Sequence, residues 1–310
     1  MQQAGASVSV SLPARRYGRL KRPQRRFAYL ALAVPMVLLL VFYVVPALAS
    51  LVLSVFNWNM LSAPKFAGLA NFRSLFRDEI FKKAWGNTTY YMAVCTVAQT
   101  ALGLAGGLVL TRRWLKAKGL FRVVFFVPVV LSMVSVGLIW LWMLDARVGL
   151  INIALKFLHL PPQPWLNSPR LAMPCMIVIS IWKFTGYNIV LFIAGLQGIP
   201  DEYNDAAAVD GANTWQRFRH ITLPLLRPTL LFVLITTAIG SFQVFDQIYV
   251  MTGTEGAPRF STMVLGTYMY QHAFDGLRFG YACAFAILMF AFLLVLTVIQ
   301  LRLVRTESLW

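Results

Sequence analysis

The sequence predicts an all-α, polytopic membrane protein with six transmembrane helices and a cytoplasmic helix-turn-helix loop, and three observations carry that prediction. Of 310 residues, 59% are hydrophobic and 13% charged, with mean hydropathy +0.67, whereas an ordinary soluble domain is about 25% charged. No charge falls between Arg26 and Lys65, Lys83 and Arg112, Arg122 and Asp145, Arg227 and Asp246, or Arg278 and Arg302, and each interval holds an apolar run near the ~20 residues needed to cross a bilayer. A sixth run, Leu171 to Leu196, is interrupted only by Lys183.

The elements follow in chain order. Residues 1–26 form a basic tail, and residues 27–302 a transmembrane domain with spans near 28–50, 86–110, 122–144, 171–196, 228–250 and 279–301. Residues 303–310 form a short second tail. Ala47-Leu48-Ala49 looks like a signal-peptidase site, but Phe27 to Val45 is already 19 uncharged residues, longer than the roughly 7–15 of a signal peptide's apolar core. The first span is therefore expected to remain as an anchor. Gly103 and Gly107 in the second form a GxxxG, a weak signal for close helix contact.

Orientation comes from the basic residues of the short connections. The amino-terminal tail holds seven with no acid, the loop after the second span holds Arg112, Arg113, Lys116, Lys118 and Arg122, the loop after the fourth holds Arg217, Arg219 and Arg227, and the last tail holds Arg302 and Arg305. Seventeen of the 28 thus fall on one side and ten on the other, with Lys183 inside a span. Both termini are expected to be cytoplasmic in a multi-pass membrane protein. An anionic lipid leaflet suffices as partner for the net charge of +17, and no nucleic acid is needed.

Cys95, Cys175 and Cys283 lie in apolar stretches without CxxC or Cys/His spacing, so neither a disulfide framework nor a metal site is predicted. His159, His220 and His272 are scattered over loops, no paired carboxylates or Ser/His/Asp set converges in a span, and no catalytic residue is assigned. The external connections 57–83 and 145–170 read either as plain connectors or as part of a docking surface, the second with an irregular Pro161 to Trp165 stretch.

One loop is patterned beyond a linker. Between spans four and five, residues 199–224 read as two short helices. Asp201, Glu202 and Asp205 follow Pro200 in the first turns, Ala206 to Ala208 form a strong helix core, and Gly211 accepts the left-handed backbone that ends it. Asn213 and Gln216 suit a capping box, Trp215 and Phe218 share a face, and Pro224 stops the second helix. Small side chains would let another surface approach while the acids offer partners to arginines. An amphipathic hairpin lying on the membrane surface is the other reading of the same pattern.

Asp205-Ala206-Ala207, then Asp210-Gly211-Ala212, then Ile221-Thr222-Leu223-Pro224 resemble the EAA loop of the membrane subunits of binding-protein-dependent ABC importers, with aspartate where that family has glutamate. Phe66-Ala67-Gly68-Leu69-Ala70-Asn71-Phe72 resembles the segment after span one in carbohydrate permeases, and Phe126-Val127-Pro128 through Gly137-Leu138-Ile139-Trp140 their third span. Phe245 to Thr252 and Phe279-Gly280-Tyr281-Ala282 are similar to the ends of spans five and six, while Gly253-Thr254-Glu255-Gly256 departs from the family's glycine-rich turn.

The resemblance implies a non-enzymatic permease subunit of the maltose and glycerol-3-phosphate type, in a bacterial cytoplasmic (inner) membrane. Its implied partners are a second homologous permease, two ATP-binding subunits that hold ATP and Mg, and an extracytoplasmic solute-binding protein. No cofactor is expected in this chain, which lacks a GxxxxGK[ST] loop. The resemblance assigns Asp205, Ala206, Ala207, Asp210, Gly211, Leu223 and Pro224 to ATPase coupling. Candidates for the substrate path are Lys183, Tyr187, Asn188, Gln243 and Asp246, with Gln99, Trp182 and Phe242 as further polar or aromatic groups within spans. A buried lysine is a functional candidate by default; Asp246 is its candidate partner, and a lysine reaching a wet cavity for structural reasons is the alternative. A secondary active transporter or channel would also explain the spans, but gives the loop no task. The solute itself is not readable from these residues.

Overall fold

The computed structural model describes residues 22–112 and 116–304. The basic tail up to Lys21, Arg113 of the second basic cluster, and the tail from Arg305 onward lie outside the described residues. The chain divides into two compact units, residues to Ala49 and residues from Ser50. From Arg22, α1 (Arg22–Leu39) passes through a wide π turn at Leu40–Val44 into α2 (Val45–Leu53), whose last residues belong to the second unit. The wide turn lies just ahead of Pro46, whose nitrogen has no proton for a helical hydrogen bond.

The second unit continues with a hairpin in which β1 (Phe56–Asn57) pairs antiparallel with β2 (Lys65–Phe66), followed by α3 (Ala70–Arg77). Buried Asn71 donates to the carbonyls of Ser54 and Phe56, both at 2.9 Å, and the amide of Gly280 donates to the Trp58 carbonyl at 3.3 Å. The hairpin segment and the start of the last helix are thus stitched together, and a Cβ at Gly280 would lie 1.9 Å from the Phe56 carbonyl oxygen, which accounts for Asn71 and Gly280 in the two motifs read from the sequence.

α4 (Glu79–Thr111) is 33 residues long. α5 (Lys118–Val130) and α6 (Met133–Met143) occupy the stretch expected as one span, 122–144, but are bent by 95° at Leu131 and Ser132. Both hinge residues are extended, and Pro128, three residues earlier, cannot donate to the carbonyl one turn back. α7 (Leu150–Phe157) follows, and buried Asn152 orders the irregular segment after it. Its side chain accepts from the Gln163 amide (3.0 Å) and the Trp165 indole (2.9 Å) and donates to the Gln163 carbonyl (3.0 Å).

α8 (Ala172–Gln197) is the most buried of the long helices. It packs along α4, where a Cβ at Gly103 would lie 2.7 Å from Asn188 Cβ and one at Gly107 2.9 Å from Phe192 Cβ. Here the GxxxG does mark close contact. After α8 come α9 (Asp201–Val209), α10 (Thr214–Arg217), a π turn at Phe218–Thr222 just ahead of Pro224, and α11 (Leu223–Leu225). The stretch expected as span five is α12 (Arg227–Phe242) and α13 (Asp246–Thr252), broken between them. α14 (Leu265–Tyr270), a π turn at Gln271–Asp275 and α15 (Phe279–Val304) complete the described chain. Five helices are long and apolar enough to cross a membrane, or six if the bent pair α5–α6 is one span.

The two largest of four hydrophobic clusters join the helices of the second unit. Phe81, Trp85, Phe242, Phe285 and Phe292 join α4, α12 and α15, with Phe81 and Phe285 edge to face at 5.0 Å and Phe242 stacked on Phe292 at 4.7 Å. Tyr91, Cys95, Val136, Met176 and Ile248 join α4, α6, α8 and α13.

Asp78 anchors the entry to α4. Its Oδ1 accepts from the amides of Ile80 (2.9 Å) and Phe81 (3.2 Å), and its Oδ2 from the hydroxyls of Tyr268 and Tyr281. Burial pushes the carboxyl up, but the Tyr268 hydroxyl, the two amides and the Tyr281 hydroxyl outweigh it and hold the group below its ordinary 3.8. A depressed value means that the contribution is present above the ordinary carboxylate range and is lost as pH falls through the folded value. Asp78→Ala is expected to lower stability by about 1–2 kcal/mol through loss of the cap. Thermal unfolding in detergent checks this; the deficit should be constant at neutral pH and shrink only in acid.

Candidate functional site

A cavity of about 450 Å³ lies among α4, α8, α12 and the two helix breaks. α8 contributes Ser180, Phe184, Tyr187 and Asn188, whose spacing of i, i+4, i+7 and i+8 puts them on one face. α4 adds Tyr91 and Gln99, and α12 adds Thr236, Thr237, Gly240 and Ser241. The unwound residues Gln243, Val244 and Phe245, with Asp246 and Gln247 behind them, close one wall, and Val129 and Met133, on either side of the α5–α6 bend, close another.

Three pairs of polar side chains in this wall are bonded to one another, and all of its polar groups but Asp246 are uncharged. Asn188 donates to Thr237 Oγ1 at 3.2 Å and Gln99 to Ser180 Oγ at 3.3 Å. Gln247, fully buried, donates to the Met176 carbonyl at 2.8 Å and accepts from the Tyr91 hydroxyl at 3.0 Å. Among the described residues, no lysine or arginine lines the cavity. Such a surface offers hydrogen-bond donors and acceptors beside the aromatic faces of Phe184, Tyr187 and Phe245. Those are the contacts a neutral polyhydroxyl solute can exchange for water.

Of the substrate-path residues expected from sequence, Tyr187, Asn188, Gln243 and Asp246 meet at this cavity, and Lys183 does not line it. Nor does Lys183 pair with Asp246, which corrects the expected partnership. Its ammonium, on a residue only 2% exposed, donates to the carbonyls of Pro128 (2.9 Å), Val129 (3.3 Å) and Leu131 (2.6 Å). The charge is taken up by backbone oxygens that the bend leaves without amide partners.

Gln99 lines the cavity, but Phe242 is in the aromatic core and Trp182 packs edge to face on Trp140 beside a separate apolar cleft. Sequence reading missed Tyr91, Ser180, Phe184, Thr236, Thr237, Ser241, Phe245 and Gln247. The helical spacing of Ser180, Phe184, Tyr187 and Asn188, and the density of small polar residues from Thr236 to Gln247, were the available signals.

The second feature is the loop between α8 and α12. α9 ends on Gly211 at φ +78°, where the amide of Gly211 bonds the Ala208 carbonyl (3.2 Å) and that of Ala212 the Ala207 carbonyl (2.9 Å). This pair of bonds is the Schellman closure, and its left-handed residue is disfavoured for any side chain. Nothing lies within 4 Å of a Cβ built there, so backbone angle and not space demands glycine. Asn213 and Gln216 complete a reciprocal capping box at 2.8 and 2.9 Å.

Asp205, Ala206 and Asp210 are exposed, Ala207 is half-buried, and Val209 and Trp215 are 88% and 64% exposed. The loop therefore presents acids, small residues and apolar side chains together. Its root is fixed, because half-buried Leu223 and Pro224 lead into Leu226, which is fully buried against Phe192 and Val233.

The family model of the binding-protein-dependent transport system inner membrane component matches residues 99–307. The chain is 35% identical over 280 residues to the probable ABC transporter permease protein YurN of Bacillus subtilis, covering 88% of this chain and 94% of that protein. It is 32% identical over 292 residues to the lactose transport system permease protein LacF of Rhizobium radiobacter, covering 93% and 97%. Its fold matches a subunit of a bacterial ABC transporter involved in the import of the acidic polysaccharide alginate, with TM-score 0.79 at 23% identity over 92% of this chain and 97% of that one.

If the cavity admits water, single cysteines at Tyr187 and Gln243, placed in a background without Cys95, Cys175 and Cys283, should react with a polar maleimide. A cysteine at Phe242, whose side chain is fully buried, should react at least about tenfold more slowly. Equal rates at all three positions would contradict the cavity.

Proposed function

The chain belongs to the family of binding-protein-dependent transport system inner membrane components, and from that premise we propose that it is a transmembrane permease subunit of an ATP-driven ABC importer for carbohydrates. Solute delivered by an extracytoplasmic binding protein passes through the cavity by alternating access. The observation that carries this reading is the cavity itself, walled by two broken spans and lined with neutral hydrogen-bonding and aromatic side chains. The lactose assignment of one relative and the alginate assignment of one structural neighbour support the carbohydrate class. A lining that, among the described residues, has one carboxylate and no cation favours neutral sugars over acidic ones.

The permease works with a second homologous permease, two ATP-binding subunits that hold ATP and Mg, and the binding protein. Both termini and the 199–224 loop face the cytoplasm. In this reading Asp205 and Asp210 pair with basic groups of the ATPase, Ala206 and Ala207 permit close seating, and Gly211 sets the angle between α9 and α10. Leu223 and Pro224 pass the displacement to α12. Closure of the ATPase on ATP moves the loop and swings the cavity from inward-open to outward-open; hydrolysis resets it.

The test is uptake of radiolabelled neutral disaccharides by cells carrying the whole transport operon, with membrane levels of every subunit measured. Vanadate should abolish uptake. Gly211→Leu forces a side chain into a left-handed position at about 1–2 kcal/mol, and Asp205→Lys reverses a contact charge; each should cut uptake by about tenfold or more with normal insertion. Wild-type uptake in both variants would remove the coupling assignment, and uptake that follows an ion gradient and ignores vanadate would remove the importer reading.

A further inference from the structure

We propose that Lys183 is a positioning residue of the transport cycle, whose ammonium clamps the bent pair α5–α6 to α8 so that displacement of α8 is delivered to the cavity wall at the bend. The inference rests on the importer reading above and adds to it a specific mechanical link.

Non-helical backbone within a membrane needs partners for its polar groups from the protein. At the α5–α6 bend, Pro128 and Val129 are in the last turn of α5, and Leu131 is the hinge residue beyond it. An ammonium has three N–H donors, and Lys183 spends them on the carbonyls of these residues at 2.9, 3.3 and 2.6 Å. The positive charge also lies at the negative end of the α5 dipole. One side chain therefore holds both the last turn and the hinge, and opposes annealing of α5 and α6 into one straight helix.

A second contact lies one turn along α8. A Cβ at Gly186 would lie 1.8 Å from the Phe125 carbonyl oxygen, so the two backbones touch there. Lys183 and Gly186 on α8 thus engage Phe125 and Pro128 to Leu131 on α5, one contact by charge and one by close approach. A helix fastened at two points along its length cannot pivot freely on its neighbour.

The clamp joins the parts that must move together. α9 starts at Asp201, four residues after the end of α8 at Gln197, so movement of the loop acts directly on α8. Beyond the bend, Met133 lines the cavity and Gly137 of α6 packs on Val250 of α13, where a Cβ would lie 3.1 Å from Val250 Cγ1. α13 follows the second break, at Gln243 to Phe245. Motion of α8 thereby reaches both broken walls through α6.

The experiment uses the whole complex with its ATPase subunits and binding protein, free of native cysteines in this chain, and Mg-ATP with vanadate as the probe. A cysteine at Met133 reports maleimide reactivity with and without trapped nucleotide. Beside wild-type Lys183, the rate should change by about tenfold between the two states, and Lys183→Arg should keep most of that change. With Lys183→Met, nucleotide should be trapped equally while the change falls below about twofold. No change beside wild-type Lys183, or a full change with Lys183→Met, overturns the clamp.

If Lys183→Met does not assemble, spin labels at Val124 of α5 and Val178 of α8, both on exposed faces, decide the matter with Lys183 intact. Their separation should be the same in both nucleotide states, and a shift between states overturns the proposal. Vanadate-sensitive uptake together with an unaffected Lys183→Met would remove the clamp alone, whereas vanadate-insensitive uptake would remove the importer reading beneath it.

Discussion

The close seating of α8 against α4 and α5 is the constraint on which the rest of the structure depends. Its small-residue contacts, at Gly103, Gly107 and Gly186, bring backbones nearer than side-chain packing allows. In hydrocarbon, where burying apolar surface gives helices no advantage over lipid, such close approach is a main source of association. The same seating places the polar face of α8 toward the cavity and leaves its end free to continue into the patterned loop. A larger residue at Gly186 would push α5 outward and pull the bend away from Lys183.

From that seating the two breaks gain their meaning. A helix unwound in a membrane exposes carbonyls and amides that lipid cannot satisfy, so both breaks must be solved locally. At Leu131 and Ser132 the solution is an ammonium on three carbonyls. At Gln243 to Phe245 the unwound segment faces the cavity and packs against α14, where a Cβ on Gly266 would lie 2.8 Å from the Val244 carbonyl oxygen. Each break gives up helical hydrogen bonds and gains a wall that can change direction without unfolding.

Much of this was legible in the sequence, and the rest was hidden for physical reasons. The charge-free runs mark spans because lipid penalises charge, and the Asn213 and Gln216 spacing foretold a capping box that formed. The break within 122–144 was not visible, because its apolar residues continue through the hinge and the lysine that satisfies it lies more than fifty positions away. Lys183 itself was visible as costly, but charge alone points as readily to a carboxylate as to backbone oxygens. The cavity face of α8 was only partly read, since Ser180 and Phe184 differ little in composition from ordinary packing residues until helix orientation is known.

The loop and the cavity obey opposite design rules, and that contrast bears on how one could drive the other. The cavity wall bonds Asn188 to Thr237, Gln99 to Ser180 and Tyr91 to Gln247, so a passing solute meets mostly neutral and replaceable contacts. The loop instead leaves acids and apolar side chains exposed, while the Schellman closure at Gly211 and the capping box at Asn213 fix its backbone. A rigid backbone with exposed side chains suits a part that is gripped and pushed. A mostly neutral hydrogen-bonding lining suits a part that must release what it holds. Between them, α8 is continuous from Ala172 to Gln197, without a proline or break beyond its first turn to absorb a displacement. On the proposed importer reading, a displacement of the loop would be carried along this helix, which holds Tyr187, Asn188 and Lys183, as well as through Leu223 and Pro224 into α12.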